Sequence, residues 1–443
     1  NGIAGKTAGV VTATISGAAT DLAGLTTAST DNITVTITGS DVATVAELVT
    51  INGASTGAIT LNSQTAAANL TGTAANLAAA FAGTVTTHTG TVTLSGSAVA
   101  SVAELVTING ATTGAITLNS QTVAANFTDT AANLAAAFDG TVTTHTGTIG
   151  ITGTNPTVSQ LNTIAGATSG VVTATISGAA TALDGLTTLG TDAITVTITD
   201  ASAAAVEATV LSSIGSKTAS TVTVSNAVAV SGTLAEATAA FVTAGTAVVG
   251  SNAAVTLDDP ADTSISASAL NTLAANVGSV KVSSGIILTG SQSDVTTALT
   301  DSDITFPSSD YDVSITGLFG VDASLVNMYN AIAGSTSGEL AITGTGLGDN
   351  LNASTYTGNG SKGLTINGLE GNDTIVATSF NDKIIGGTGN DKITGGTGND
   401  TVTGGIGADT FTFEAANNGL DTIKDYDNSQ NDILDLDAII TGG

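Results

Sequence analysis

Two apolar rhythms divide the chain. Through residues 1–343, short runs alternate apolar residues with Thr or Ser at period two. GVVTATISG (170–178), AITVTITD (193–200), STVTVSNAVAVSG (220–232), VKVSSGIILTG (280–290) and DVSITGLFG (312–320) are of this kind, and they predict strands. Ala-rich stretches lie between them and predict short helices: AATALDGLTT (179–188), AAAVEATVLSSIGS (203–216), SALNTLAANVG (268–278), SDVTTALTD (293–301) and DASLVNMYNAIAG (322–334). TLAEATAAFVTAG opens on Thr233 with Glu236 three places on, the pattern of a capping box. From Gly368 to Thr412 the rhythm changes. An aspartate recurs every nine residues, and two places later comes an apolar residue: Ile375, Ile384, Ile393, Val402, Phe411.

The first region is repetitive. Ile3–Thr38 recurs as Ile164–Thr199, with a fainter echo from Ala331. Between the copies lie two near-identical 57-residue units that start at Val45 and Val102. In each, a hairpin is expected around the Asn-Gly pair (Asn52-Gly53 in the first), then a helix, TAANLAAAF, then a strand. Small ββαβ modules would result. The helices are short, so packing must hold them. The second long copy carries SQLNT before Ile164, the end of a helix, whereas the first carries only Asn1-Gly2 before Ile3. The chain is therefore expected to be part of a longer polypeptide, or a product cut within an array.

The second region reads GLEGNDTIV, ATSFNDKII, GGTGNDKIT, GGTGNDTVT, GGIGADTFT, five nine-residue units without insertion. Glycines allow positive φ in a tight turn. Such a turn exposes carbonyls on its inside, and the aspartate adds a carboxylate. Hard oxygen donors of this kind suit Ca²⁺, which takes six to eight of them. One turn cannot supply that number, so stacked turns must share each ion. The candidate metal residues are Gly371 and Asp373; Asn381 and Asp382; Gly387, Gly389 and Asp391; Gly396, Gly398 and Asp400; Gly405, Gly407 and Asp409. If two units make one coil, a turn lies above the one 18 residues away. Asp373, Asp391 and Asp409 then line one edge, and Asp382 and Asp400 the other. Leu369 departs from the pattern, and Ala377–Phe380 carries no glycine. Gly346–Leu351 resembles a degraded outlying unit.

On these residues the chain resembles the RTX (repeat-in-toxin) family of secreted bacterial calcium-binding proteins. The resemblance implies a parallel β-roll with Ca²⁺ between turns, and type I secretion directed by an uncleaved C-terminal signal. It also implies a closing flank, here Asp421-Thr422-Ile423-Lys424-Asp425-Tyr426. The expected fold class is mainly β with short helices: a repetitive strand–helix array followed by a C-terminal parallel β-roll. The expected divisions are 1–44, a strand–helix repeat; 45–101 and 102–158, the two modules; 159–343, the array; 344–412, the roll; and 413–443, the capping flank.

Composition narrows the function. Seven basic residues, none of them Arg, face 36 acids, for a net charge of −29. No basic footprint for nucleic acid exists, and anionic membranes are disfavoured. Fourteen of the 36 acids fall in residues 344–443, the part expected to take calcium. Absence of Cys removes disulfides, thiol catalysis and Cys-based zinc sites. No run of 18 apolar residues predicts membrane insertion. The two histidines, His88 and His145, hold equivalent places in TVTTHTGT and are expected to face solvent. Gly53-Ala54-Ser55-Thr56-Gly57 fits G-x-S-x-G, but its copy has Thr112 in place of the serine, so a turn is expected rather than a nucleophile. The alternating threonines are expected on solvent faces. Asp258–Asp262 and Asp301–Asp303 are expected as solvated turns or secondary calcium sites. The chain is expected not to be an enzyme. It reads as a secreted structural protein that self-assembles at the bacterial cell surface as a layer or filament, with calcium-induced folding. A cell-surface polysaccharide is a second expected partner. The alternatives are an adhesin module, or the RTX region of a toxin or enzyme whose active domain lies upstream.

Overall fold

The computed structural model describes the chain apart from residues 154, 244–247, 284, 308–310, 318–339, 357–361, 414–418 and 437–443. The helix expected at 322–334 and most of the echo from Ala331 lie outside the described residues. The chain divides into two compact units, Asn1–Thr199 with Ser213–Thr223, and Asp200–Ser212 with Val224–Gly443. Among the described residues the strand registers are all parallel, and 13 short α-helices accompany them. The helix content makes the body a mixed strand–helix structure, while the sheets keep the parallel form expected of the roll.

In the first unit, each coil brings one short strand beside the last. Offsets run from 20 residues (Thr12↔Asn32) to 26 (Ile116↔Val142). Period-two alternation buries Ile33, Val35 and Ile37 in one copy and Val172, Ala174 and Ile176 in the other. Between them, Thr173 and Thr175 face outward. A buried aspartate ties each copy together. Asp31 accepts the N–H groups of Val11 and Ala28, and Asp192 accepts those of Val172 and Leu189.

Among the described residues the 57-residue units contain no hairpin. Val45–Gly53 and Val102–Ala111 are helices, opened by capping boxes at Thr44/Glu47 and Ser101/Glu104. The expected Asn-Gly turn is the end of a helix. The Asn52 amide there donates to the Ala79 and Ala82 carbonyls at 2.7 and 2.8 Å, and Asn109 repeats this with Ala136 and Asp139. Asparagine at this place joins one coil to the next. Each unit is a run of further parallel coils, Leu70↔Val92↔Ile116 and Phe127↔Ile149↔Val172.

The histidines are buried, not solvent-facing. His88 Nε2 meets the Ala68 carbonyl at 2.8 Å, and Nδ1 meets Thr112 Oγ1 at 3.2 Å. His145 makes the same pair with Ala125 and Thr168. A carbonyl only accepts, so Nε2 carries the proton of a neutral ring. Each ring also packs on phenylalanine, Phe81 for His88, and Phe127 and Phe138 for His145. Ser55 holds the place of Thr112: its Oγ accepts from Ile33 and Gly57 N–H and donates to the Ile33 carbonyl. That serine is bound into the stack of coils.

Burial lowers both histidine pKa values below the ordinary 6.5, partly offset by the carbonyl bonds. The unfolded chain then binds more protons than the folded one as pH falls. The stability that the neutral rings give is present above about 6.5 and is lost on acidification below it. Thermal melts of wild type and of H88Q/H145Q between pH 7 and 5 check this. The wild type is expected to lose more stability than the double variant; equal slopes would count against it.

In the second unit, the helices Leu234–Phe241, Ala267–Ala274 and Gln292–Thr300 pack in succession. Thr233 and Glu236 form the expected capping box. Asp259, from the acidic cluster, is buried and accepts the Leu234 N–H. One eight-stranded sheet starts at Ser264–Ser266 and continues through Ile287–Gly290, Asp312–Ile315, Leu340–Thr343, Lys362–Glu370, Asn381–Thr388 and Thr401–Ile406 to Thr422–Ile423. From Leu340 on, the described residues hold strands and no helix. A second sheet accompanies it: Asn350–Asn352, Thr374–Val376, Lys392–Thr394, Thr410–Thr412 and Ile433–Asp435. The roll therefore grows out of the strand–helix coils through a shared sheet.

Candidate metal centre

Eighteen residues separate stacked positions across the five nonapeptides: Ile375↔Ile393↔Phe411 in one sheet and Ile384↔Val402 in the other. The apolar residue of each unit points inward and is buried. That puts the aspartate two places earlier at the bend between the sheets.

Asp373, Asp391 and Asp409 fall in one row, Asp382 and Asp400 in the other, and all five are buried. Within a row, each backbone N–H donates to Oδ1 of the next aspartate: Asp373 to Asp391 at 2.8 Å, Asp391 to Asp409 at 2.9 Å, Asp382 to Asp400 at 2.8 Å. The asparagine before four of the five aspartates, all but Asp409, ties coils in the opposite sense. Asn372 Oδ1 accepts from Asn390 N–H, Asn390 from Ala408, Asn381 from Asn399 and Asn399 from Leu420. The Asn381 side chain is exposed and spends its oxygen on this bond.

Gly371, Gly387, Gly389, Gly396, Gly398, Gly405 and Gly407 all have positive φ, from 90° to 143°. The first glycine of a turn matters for a different reason. A Cβ on Gly368, Gly386, Gly395 or Gly404 would strike Oδ2 of its own aspartate. These glycines make room for the carboxylate to turn inward.

The second carboxylate oxygen is what marks the centre. Oδ2 of Asp373, Asp391, Asp400 and Asp409 is buried and has no hydrogen-bond partner. A buried anionic oxygen without a donor is costly. Burial, with neighbouring carboxylates adding to it, raises the carboxyl pKa of Asp391 to about 6 and of Asp400 to about 7. Asp373 and Asp409 are raised for the same reasons. Among the described residues no three His, Cys, Asp or Glu side chains converge on one point. The further donors would be main-chain carbonyls, and an all-oxygen set of carboxylates and carbonyls fits a hard cation such as Ca²⁺. The orphaned oxygens fit it as well.

Both rows extend beyond the nonapeptides. Asp400 N–H donates to Asp421 Oδ1 and Asp409 N–H to Asp432 Oδ1, each at 3.0 Å. Asp349 N–H donates to Asp373 Oδ1 at 2.7 Å. Asp425 receives Gly404 and Gly405 N–H, and Tyr426 Oη donates to the Asp432 carbonyl. The described residues of the flank thus add a coil, whose strands Thr422–Ile423 and Ile433–Asp435 pair with and cover the edges of Thr401–Ile406 and Thr410–Thr412. Asp432 escaped sequence reasoning because its offset from Asp409 is 23 residues, not 18. The signal that finds it is the triplet Asp-x-apolar, kept in Asp432-Ile433-Leu434 without any glycine.

Among the described residues no helix is long and apolar enough to cross a membrane. A search of curated proteins finds no match to the chain. Residues 376–411 match the family model of the RTX calcium-binding nonapeptide repeat in four copies, so this stretch of the roll carries RTX calcium-binding repeats.

Proposed function

We propose that the protein is a secreted, non-enzymatic structural protein that self-assembles outside a bacterial cell into a surface layer or filament. Calcium gates the folding of its C-terminal roll. The observation that carries this reading is the row of buried, partnerless aspartate oxygens at the end of a repetitive body. In a calcium-poor cytosol such carboxylates repel one another and keep the roll open for export by a type I route. Outside, calcium at about 10⁻³ M meets sites of roughly 10⁻⁴–10⁻³ M, the range of extracellular modules. Binding to the folded form alone then stabilises it. The repeated coils supply extended surfaces for contact between copies and for a cell-surface polysaccharide. Electron microscopy of the purified protein with calcium and with a chelator tests the assembly. Ordered layers or filaments are expected in calcium only. Dispersed particles in both conditions would remove the assembly reading and leave calcium binding standing.

A further inference from the structure

The turns of the roll are of two kinds, and the difference lies in the residue four places before the aspartate. In four turns that residue is Leu369, Gly387, Gly396 or Gly405, with φ of 79°, 123°, 90° and 110°. These are the turns whose aspartate Oδ2 is orphaned. In the other two the residue is threonine, Thr345 before Asp349 and Thr378 before Asp382, and neither has positive φ.

Both threonines fold onto the carboxylate in the same way. Thr378 N–H donates to Asp382 Oδ2 at 2.8 Å, and its hydroxyl lies 3.0 and 2.8 Å from Oδ1 and Oδ2. Leu364 N–H donates to Oδ1 from the preceding coil. Thr345 N–H donates to Asp349 Oδ2 at 2.6 Å, and its hydroxyl lies 3.0 and 3.2 Å from the two oxygens. Each Thr Oγ1 also accepts the N–H two residues on, from Phe380 and Leu347, at 3.1 Å. Two turns with little other sequence in common share one network. Their carboxylates have neutral donors in place, and a carboxylate so satisfied has little need of a cation.

We propose that Thr345 and Thr378 take the part of calcium in their turns, so that these two turns close without metal and calcium is confined to the turns of Asp373, Asp391, Asp400 and Asp409. This rests on the calcium reading of the roll and refines it. The two threonine turns are also the first in each row: Asp349 precedes Asp373, Asp391 and Asp409 on one edge, and Asp382 precedes Asp400 on the other. Each row begins on a turn that folds unaided and offers the next coil a formed edge.

Calcium chloride titrated into the full chain by calorimetry tests this, with D382N, T378G and T378V beside D400N. D382N and T378V are expected to leave the number of bound ions at the wild-type value and to lower the melting temperature equally in calcium at neutral pH and in chelator near pH 5, where the roll is closed without metal. D400N is expected to bind fewer ions and to lose stability only in calcium. T378G, which frees the carboxylate and restores the glycine, is expected to bind more ions than wild type. D382N losing as many ions as D400N, or T378G gaining none, would overturn the proposal. Wild type binding no calcium would instead overturn the underlying calcium reading. T378G retains both carboxylates of its row, so its ion count decides the matter even if D382N does not fold.

Discussion

In a chelator at neutral pH the roll is expected to lose its fold, and either calcium or acid is expected to restore it. Asp391 and Asp400 have carboxyl pKa values near 6 and 7 in the folded, metal-free roll, against an ordinary 3.8, because burial disfavours the anion. A folded-state pKa raised in this way favours the folded form while the group is protonated. The stability is fully present below about pH 4 and is lost as pH rises through about 6 and then 7. Near pH 5 the buried oxygens carry protons and the roll closes; near pH 8 they are anions without a partner. Calcium replaces the protons at the higher pH. At a free concentration about 100 times Kd, each independent site adds about 2.7 kcal/mol, a large share of a domain's usual margin of about 5–15 kcal/mol. Circular dichroism melts in chelator and in calcium from pH 5 to 8 check both arms. A chelated chain whose roll melts at the same temperature throughout would sink the argument. The effect is not confined to the roll, because one sheet runs from Ser264–Ser266 into Thr422–Ile423. The helices Ala267–Ala274 and Gln292–Thr300 pack in the coils at its start, so their ellipticity is expected to follow the roll in part.

The roll was legible in the sequence because its information is local and strictly periodic. Nine residues carry turn, donor and strand together, and eighteen bring each back to itself. The last coil was harder to read, since Asp421 and Asp432 keep the role of the repeat without its spacing. The body was legible as repeats but not as a fold. Asn52-Gly53 carries the local signature of a hairpin, yet the Asn52 side chain is chosen for two carbonyls 27 and 30 residues away. The stronger signal was the capping box at Thr44 and Ser101, each with a glutamate three places on, which announces a helix just before that pair. Strands of two or three residues, such as Ile59–Thr60 and Ile116–Thr117, are too short to show any period. Burial of His88 and His145 was hidden for the same reason as the coil itself. Their partners, a carbonyl 20 residues back and a hydroxyl 23 or 24 residues on, become neighbours only once the coils stack.

Substituting Gly389 by alanine is expected to abolish calcium-dependent folding of the roll, although the residue has no side chain to offer a ligand. Its φ of 134° lies where residues other than glycine are strained, at a cost of about 1–3 kcal/mol. The larger effect is between coils. A Cβ at Gly389 would meet the Gly371 carbonyl oxygen of the coil before, as one at Gly407 would meet that of Gly389. Backbone lies directly on backbone along this column, so no side-chain rotation can relieve the contact. The hydrogen bonds on either side make a shift expensive: Gly371 N–H donates to Thr388 and Gly389 N–H to Ile406, both at 2.8 Å. Moving the coil apart lengthens both, and it separates the aspartates that a shared ion must reach together. Neighbouring Thr388→Ala, an exposed change on the same turn, is the control and is expected to stay within about 0.5 kcal/mol of wild type. Calcium titration followed by circular dichroism reads the difference. If G389A folded with calcium as T388A does, the roll would have to tolerate a wider spacing than its stacked carbonyls allow, and close backbone packing could not be what brings the carboxylates to one ion.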